Sequence, residues 1–399
     1  MQRTQTDILV SGGGVAGLTA AAAFGSAGFR VICTDPAPPV TDRDAEGADQ
    51  RTTAFLQPSI PVLERAGLWS RLEPHAAPLQ IMRIIDAGGT VAEPRITKDF
   101  DAADISDRPF GWNLPNWLLR REMVARLAEL PNVTFLPGTA TASILTRQAE
   151  ALATLSDGSQ ISARLIVGAD GRNSVVRQAA GIEVKTIRYG QKALAFATTH
   201  PVPHANVSTE IHRSGGPFTL VPLPDRDGLP SSAVVWMERG PEVARLAALP
   251  VEAFEAEMNI RSCGILGPLR LVSRRTVWPI ISQYAARMSA QRIALIAEAA
   301  HVVPPIGAQG LNMSLADLKA LLDLATGRPE ALGDAQMLDA YHRARHLEVM
   351  ARVTGIDALN RASMLSAQPL RYLRAGALNA FYSLAPVRKT LMRAGLGTR

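Results

Sequence analysis

Residues 7–35 constrain the fold of this chain more than any other stretch. Asp7-Ile8-Leu9-Val10-Ser11 reads as a short apolar strand, Gly12-Gly13-Gly14-Val15-Ala16-Gly17 follows it, and an alanine-rich helix runs to about Ala27. Arg30 to Thr34 then forms a second strand that ends on Asp35, 23 residues beyond Gly12. This is the order and spacing of a dinucleotide-binding strand–helix–strand unit. Gly12 permits the tight turn, Gly14 lets the backbone approach a pyrophosphate, and Gly17, beside the small Ala16, lets helix and strand pack closely. Asp35 can accept from ribose hydroxyls. A chain that opens this way builds a parallel sheet with its ligand at the carboxyl ends of the strands.

Two later segments repeat that geometry. Leu165-Ile166-Val167-Gly168-Ala169-Asp170-Gly171-Arg172 is an apolar strand that ends on a polar turn before a helix, so Asp170 projects either toward a ligand or onto the helix as its cap. Arg292 to Ile296 is a third apolar strand, and it runs through Ala297-Glu298-Ala299-Ala300-His301 and a proline-rich loop into an amphipathic helix from about Leu311 to Ala325. A loop that opens a helix presents unpaired backbone N–H groups and a positive dipole end to whatever lies above it. Arg51 stands where a polar loop, Thr41 to Gln50, leads into a helix expected near Phe55 to Ala66, and it faces either a phosphate or flavin group or solvent. Arg120 lies in the first turn of a helix expected from Trp117 to about Leu130.

Between these segments the pattern turns to alternating strands. Ala193 to Thr199, Val207 to His212, Phe218 to Pro222 and Ala233 to Met237 read as a β-sheet, with two helices, Pro241 to Leu249 and Val251 to Arg261, inserted after them. Ile81 to Ala87, Gly88-Gly89 and Thr90 to Ala92 read as a hairpin. Beyond Gly310 the chain is expected to be helical to its end. The fold class is α/β: a dinucleotide-binding Rossmann-like domain over 1–180 and 265–330, an inserted β-sheet domain over 181–264 that suits a substrate-binding wall, and a helical C-terminal segment over 331–399.

Charge and cysteine usage narrow the function classes. The formal charge is +6, but the residues after Asp357 carry seven basic groups and no acid, so the remainder nets −1. A near-neutral body argues against nucleic acid. A basic tail bearing leucine, tyrosine and phenylalanine suggests an anionic membrane surface or an acidic partner, or else a solvated helix face. Cys33 and Cys263 have neither metal spacing nor a disulfide framework, and no metal site is expected. With no signal-peptide pattern at Met1 to Thr6 and no membrane-spanning apolar run, the expectation is a cytoplasmic protein, peripheral at most to the inner face of a membrane.

Gly12-x-Gly14-x-x-Gly17, Gly168-Ala169-Asp170-Gly171-Arg172 and Glu298 through Asn312, in this order, resemble the class A flavoprotein aromatic hydroxylases related to para-hydroxybenzoate hydroxylase. Pro305-Ile306-Gly307-Ala308-Gln309-Gly310-Leu311-Asn312, Gly216-Pro217 and the Pro386-Val387-Arg388-Lys389 tail resemble the ubiquinone-biosynthesis hydroxylases within that group. The resemblance implies that Gly12, Gly14, Ala16, Gly17, Asp35, Arg51, Arg120, Asp170, Gly171, Glu298, Gly307, Gln309, Gly310, Leu311 and Asn312 bind FAD. It also implies that the dinucleotide-binding domain is an FAD-binding Rossmann-like domain of the glutathione-reductase type, that the inserted sheet is substrate-binding, and that the Pro305 carbonyl lies near the substrate hydroxyl. Two departures stand out: Ala297-Glu298 where the family often has Gly-Asp, and Ser314 where Gly is usual.

The chemistry implied is cofactor chemistry: NADH or NADPH, bound transiently, reduces the flavin, O2 forms a flavin hydroperoxide, and an electron-rich phenol ring takes the distal oxygen. The first reading is a hydroxylase of a polyprenyl phenol in ubiquinone biosynthesis, brought by its basic C-terminus to the membrane surface and to other proteins of that pathway. A second is a soluble hydroxylase of a small aromatic acid, for which Arg213 is the candidate cation. A third is a redox-inactive flavin-binding subunit, supported by the altered Ala297-Glu298 pair.

Overall fold

A computed structural model describes residues 3–89, 91–213, 215–364 and 382–396. Two large sheets divide the work. The first, eight-stranded among the described residues, has a parallel centre in which Ile293–Leu295, Gln160–Gly168, Arg3–Ser11, Val31–Asp35 and Val133–Pro137 lie side by side. These strands are apolar because both faces are covered, as a parallel sheet requires: Ile8, Leu9, Val10, Leu165, Ile166, Val167 and Leu295 are each inaccessible to solvent. The Val15–Ser26 helix lies on one side with Leu18 and Phe24 buried. The 29-residue helix Ala335–Ser363 buries Leu338, Tyr341, Arg345, Val349 and Val353 at three- to four-residue spacing, a single stripe turned to the protein. The Tyr341 hydroxyl donates to the Leu295 carbonyl at 2.7 Å and locks this helix to the sheet.

The second sheet, nine-stranded among the described residues, runs His301–Val302, Thr276–Ala285, Val184–Thr199, Leu229–Arg239, Pro217–Arg226, Val207–His212, Ile81–Asp86 and Ile96–Asp101. Its outer face carries Leu194, Phe196, Phe218 and Trp236, packed against Val243, Leu246, Phe254 and Met258 of the helices Gly240–Ala248 and Val251–Arg261. Each such side chain contributes roughly 1.5–3 kcal/mol by leaving water. The inner face is different. There Ala193, Ala195, Ala197 and Ala233 form a floor of small side chains, with Met237, Ile280 and Leu223 beside them.

Three expectations are corrected. The helix anticipated near Phe55 to Ala66 is only Ile60–Arg65; Thr52–Leu56 is a strand paired with Gly111–Pro115. Two threonines and a phenylalanine suit a pleated edge, and Gly111 admits the close approach, since a Cβ there would meet the Phe55 carbonyl oxygen at 2.3 Å. The hairpin after Ile81 does not turn at Gly88-Gly89 onto 90–92; its second strand is Ile96–Asp101, and Thr90 lies outside the described residues. The second sheet is not confined to 181–264, because it takes strands from 81–101 and from 276–302. The C-terminal helix Ala385–Leu396 is present, while 365–381 and 397–399, with Arg371, Arg374 and Arg399 of the basic tail, lie outside the described residues.

Candidate functional site

The three motif strands end at one level. Ser11 pairs with Gly168 and Gly168 with Leu295, so Gly12, Ala169-Asp170 and Ala297-Glu298 leave the same edge of the parallel sheet together. Backbone bonds join them: Ala169 N–H donates to the Ser11 carbonyl at 2.8 Å and Ile296 N–H to the Gly168 carbonyl at 3.0 Å. Gly12 has φ +111°, and a Cβ on it would stand 2.3 Å from the Ala169 carbonyl oxygen. A Cβ on Gly17 would stand 1.9 Å from the Gly12 oxygen. Gly14 is the opposite case. Nothing lies within 4 Å of where its Cβ would be, and it begins the Val15–Ser26 helix with no side-chain cap. That open space in front of uncapped helix amides is a cradle for a diphosphate, and on this observation the residues present fit FAD.

Asp35 lies at the end of its strand with Oδ2 accepting from Gly13 N–H at 2.6 Å and Oδ1 from Ala37 N–H at 3.0 Å. It therefore shapes the glycine loop as well as facing it. Arg51 and Arg120 converge on a residue the motifs do not mark. Asp49 accepts from Arg51 Nε at 2.9 Å and from a terminal Arg51 nitrogen at 2.7 Å, while Arg120 stands 3.6 Å away. Asn116 Nδ2 also donates to Asp49, at 3.1 Å. Burial alone would push the Asp49 carboxyl up, but the Arg51 hydrogen bonds and charge, with Asn116 and Arg120, hold it below the usual carboxylate range. The Arg51 guanidinium lies 4.0 Å from the ring centre of Trp278, so it ties the Asp49–Arg51 loop to the second sheet. Arg120 Nε is buried without a partner among the described residues.

Asp170 is bonded to the start of a helix. Its oxygens accept from Ser174 Oγ at 2.5 Å and from Val176 N–H at 3.1 Å, at the start of the Val175–Ala179 helix. Gly171 beyond it has φ +82°. Arg172 Nε reaches Glu298 Oε2 at 3.3 Å and ties the second motif to the third. Ala297 adopts φ +56°, a left-handed conformation that L-residues avoid, which explains why glycine suits this position.

The proline loop is held from both ends. His301 Nε2 lies 2.6 Å from Asp317 Oδ2, Arg345 Nε donates to Asp317 Oδ1 at 2.8 Å, and another Arg345 nitrogen donates to Glu348 at 2.5 Å. Arg352 Nε then donates to Glu348 at 3.0 Å and a terminal Arg352 nitrogen to Gln309 Oε1 at 2.7 Å. This polar strap leaves the chain just before the loop and returns just after it. Gln309 Nε2 donates to the Gly307 carbonyl and to the Gly395 carbonyl of the C-terminal helix, at 2.8 and 2.9 Å. Asn312 is likewise spent on protein, donating to the Ala54 and Ala308 carbonyls and accepting from Leu56 N–H and Ser59 Oγ. What this stretch offers a flavin is its backbone, from exposed Pro305 through Gly307 and Ala308, both left-handed, to Gly310 and Leu311. Ser314 Oγ folds back onto the Gly310 carbonyl at 3.0 Å.

Arg213 does not join the site. It follows Ile211, which faces the helix-covered side, and His212, which faces the inner side; its charge is felt at Cys263, at the end of the Val251–Arg261 helix. The period-two alternation of a strand leaves it on the wrong face. Asp49, Asp317 and Arg345 were missed. Only the Asp49-x-Arg51 spacing carried a local signal.

A family model described as "FAD binding domain" matches residues 5–355. The chain is 34% identical to the protein named ubiquinone hydroxylase UbiL of Rhodospirillum rubrum, over 98% of this chain and 90% of that one. It is 26% identical to the 3-demethoxyubiquinol 3-hydroxylase of Escherichia coli, over 100% of both. Among solved structures, p-nitrophenol 4-monooxygenase PnpA from Pseudomonas putida DLL-E4 shares the fold with a TM-score of 0.80 over 100% of both chains, at 19% identity.

Proposed function

The chain belongs to the FAD-binding-domain family of flavin-dependent monooxygenases, and from that premise we propose that it hydroxylates the aromatic ring of a polyprenyl phenol in ubiquinone biosynthesis. The observation that carries the reading is likeness along nearly the whole chain to proteins named as ubiquinone hydroxylases. What FAD supplies when bound is the redox chemistry, in which electrons from NADH or NADPH go to O2 and one oxygen atom enters the ring.

The rest is done by this chain. The amides at Gly12 to Gly14 and the Val15–Ser26 helix end hold the diphosphate. Asp49 sets Arg51 and Arg120 at the flavin side, and Trp278 stacks on Arg51 to keep that cation against the second sheet. The strap from His301 to Gln309 fixes the backbone at Gly307 to Gly310, whose amides stabilise negative charge developing on the ring system above them. The second sheet closes the far side and excludes water from the reaction.

The C-terminal helix fits a lipid-soluble substrate. Leu391 and Leu384 are about half exposed, with Lys389 and Arg393 on the same short segment, while Met392 and Leu396 are buried against the protein. An apolar and basic surface of this kind suits a peripheral contact with anionic lipid. Among the described residues no helix is long and apolar enough to cross a membrane.

The small-acid alternative loses its argument, since Arg213 lies off the inner face. The test is a quinone profile by mass spectrometry in cells lacking this gene, complemented with wild type or with Asp170→Ala. Loss of ubiquinone, with a prenylated phenol one oxygen short accumulating and only wild type restoring the pool, is the expected result. An unchanged pool in a strain without a redundant hydroxylase overturns the proposal.

A further inference from the structure

The side-chain amide of Gln309 is bonded at both ends, to elements distant from one another in the chain. Its Oε1 accepts from a terminal Arg352 nitrogen at 2.7 Å, and its Nε2 donates to the Gly307 and Gly395 carbonyls at 2.8 and 2.9 Å. Gly307 and Ala308 are left-handed, at φ +62° and +56°, and Gln309 opens the Gln309–Gly327 helix directly behind them. One amide therefore holds the cofactor loop in shape, and one of the groups it grips is the last turn of the Ala385–Leu396 helix.

That helix is lightly fastened. Its buried side is Met392 and Leu396, one turn apart. Arg388 pairs with partly exposed Asp104 at 3.1 Å, an ion pair that water reaches and weakens. Tyr382, just before the helix, packs edge-on against Phe100 at 5.4 Å and donates to the Asp99 carbonyl at 3.0 Å. The flank turned to solvent is apolar too, with Leu384 57% and Leu391 51% exposed. At about 100° per residue, Leu384, Val387, Leu391 and Ala394 form a strip next to the Met392–Leu396 stripe, and Lys389 and Arg393 lie along the other margin of that stripe. Residues 382–396 hold three bases and no acid.

Docked on the protein, the helix buries one stripe of this apolar arc. At the surface of an anionic bilayer it can bury the whole arc, with its bases among the headgroups. An acidic protein would match the charge and leave the two exposed leucines without a partner. Building on the lipid contact in the reading above, we propose that the Ala385–Leu396 helix is a latch on the cofactor loop that an anionic membrane surface releases. As the helix turns onto lipid, Met392 and Leu396 leave the protein, the Gly395 carbonyl leaves Gln309 Nε2, and the Gln309 amide is held by Arg352 and Gly307 alone. The loop beside the flavin gains freedom when the enzyme meets the lipid that carries its substrate. Such coupling is reciprocal: the factor by which lipid weakens FAD binding is the factor by which FAD weakens lipid binding.

The test titrates the full chain, FAD-loaded and FAD-free, with vesicles of phosphatidylglycerol and phosphatidylcholine, and with vesicles of phosphatidylcholine alone. Vesicle binding is read by flotation, the flavin environment by visible circular dichroism, and FAD affinity by fluorescence titration. Anionic vesicles should bind at least about tenfold more tightly than neutral ones. On binding, the flavin signal should change and FAD affinity fall about fivefold or more, with the FAD-free protein binding vesicles more tightly by the same factor. Leu384→Gln with Leu391→Gln alters only exposed positions; it should keep the flavin signal of lipid-free wild type and bind anionic vesicles about tenfold more weakly. Asp104→Asn loosens the latch from the protein side and should bind them more tightly than wild type. Vesicle binding with an unchanged flavin signal and unchanged FAD affinity overturns the latch and leaves the lipid contact standing. Wild-type vesicle affinity in the double leucine variant overturns the assignment of this helix. Failure of wild type to bind anionic vesicles removes the lipid contact and the latch together, and the quinone profile still decides the hydroxylase reading by itself.

Discussion

The carboxylate of Asp317 lies 2.6 Å from His301 Nε2, and both side chains are buried, at 0% and 1% exposure. Arg345, also buried, donates to the other oxygen of the same carboxylate at 2.8 Å. A charge placed there without partners would be costly, so the three residues stand or fall together and carry the proline loop with them.

Removing that carboxylate tests the strap. Asp317→Ala leaves Arg345 without its main buried partner and should cost about 3–5 kcal/mol, read from denaturant unfolding of the FAD-free protein. Arg352→Ala breaks the strap at its half-buried end and should leave stability within about 1 kcal/mol of wild type while weakening FAD binding. Equal FAD affinity in Arg352→Ala would detach the strap from the cofactor loop.

The two glycines flanking the first helical turn should part company. Gly14→Ala places a methyl group in open space, so the FAD-free protein should unfold at the same denaturant concentration, with FAD affinity reduced at least about tenfold by the group intruding on the diphosphate. Gly17→Ala drives its Cβ into the Gly12 carbonyl oxygen and should destabilise the fold itself by about 1–3 kcal/mol. Denaturation midpoints with and without FAD separate the two effects.

Ala297→Gly should stabilise. The left-handed conformation at φ +56° costs an L-residue about 1–2 kcal/mol, and glycine returns roughly 0.5–1 kcal/mol of that through its freer unfolded chain. A net gain of about 0.5–1 kcal/mol in unfolding free energy is expected, and a loss would mean that the alanine methyl packs productively.

Asp49 sets a pH limit. Its carboxyl is held below the usual range in the folded protein, against the effect of burial, by Arg51 with Asn116 and Arg120. The unfolded chain therefore takes up this proton first as pH falls. Stability from Asp49 is complete above about pH 4, the unfolded carboxyl value, and is lost as pH drops through the lower folded value. Asp49→Asn should be less stable and bind FAD more weakly at pH 7, with a shallower decline below about pH 4. Parallel acid-unfolding curves for the two proteins would contradict this account.

Much of the fold was readable because it rests on local rules. Gly12, Gly14 and Gly17 between two apolar strands describe a turn whose geometry few other residues permit, and the strands Arg3–Ser11, Val31–Asp35 and Gln160–Gly168 follow from their apolar runs. The Thr52–Leu56 segment was misread because a short run beside a helix has no period of its own; pairing with Gly111–Pro115 decides it. Asp170 was readable as either ligand or cap, and the structure bonds its carboxylate to Ser174 and the Val176 N–H at the helix start.

The chain by itself determined a dinucleotide-binding unit, three motif segments in order, and the class of chemistry they serve, because each depends on residues close together in sequence. Which side chains meet across the fold was decided by tertiary structure alone. Asp49 finds Arg120, His301 finds Asp317 and Arg345, and Gln309 finds Gly395 over separations that no local period encodes. The same holds for faces: Arg213 and His212 are neighbours in sequence, and the pleat of one strand, set by its register with Ile81–Asp86 and Pro217–Arg226, turns His212 inward and leaves Arg213 outside.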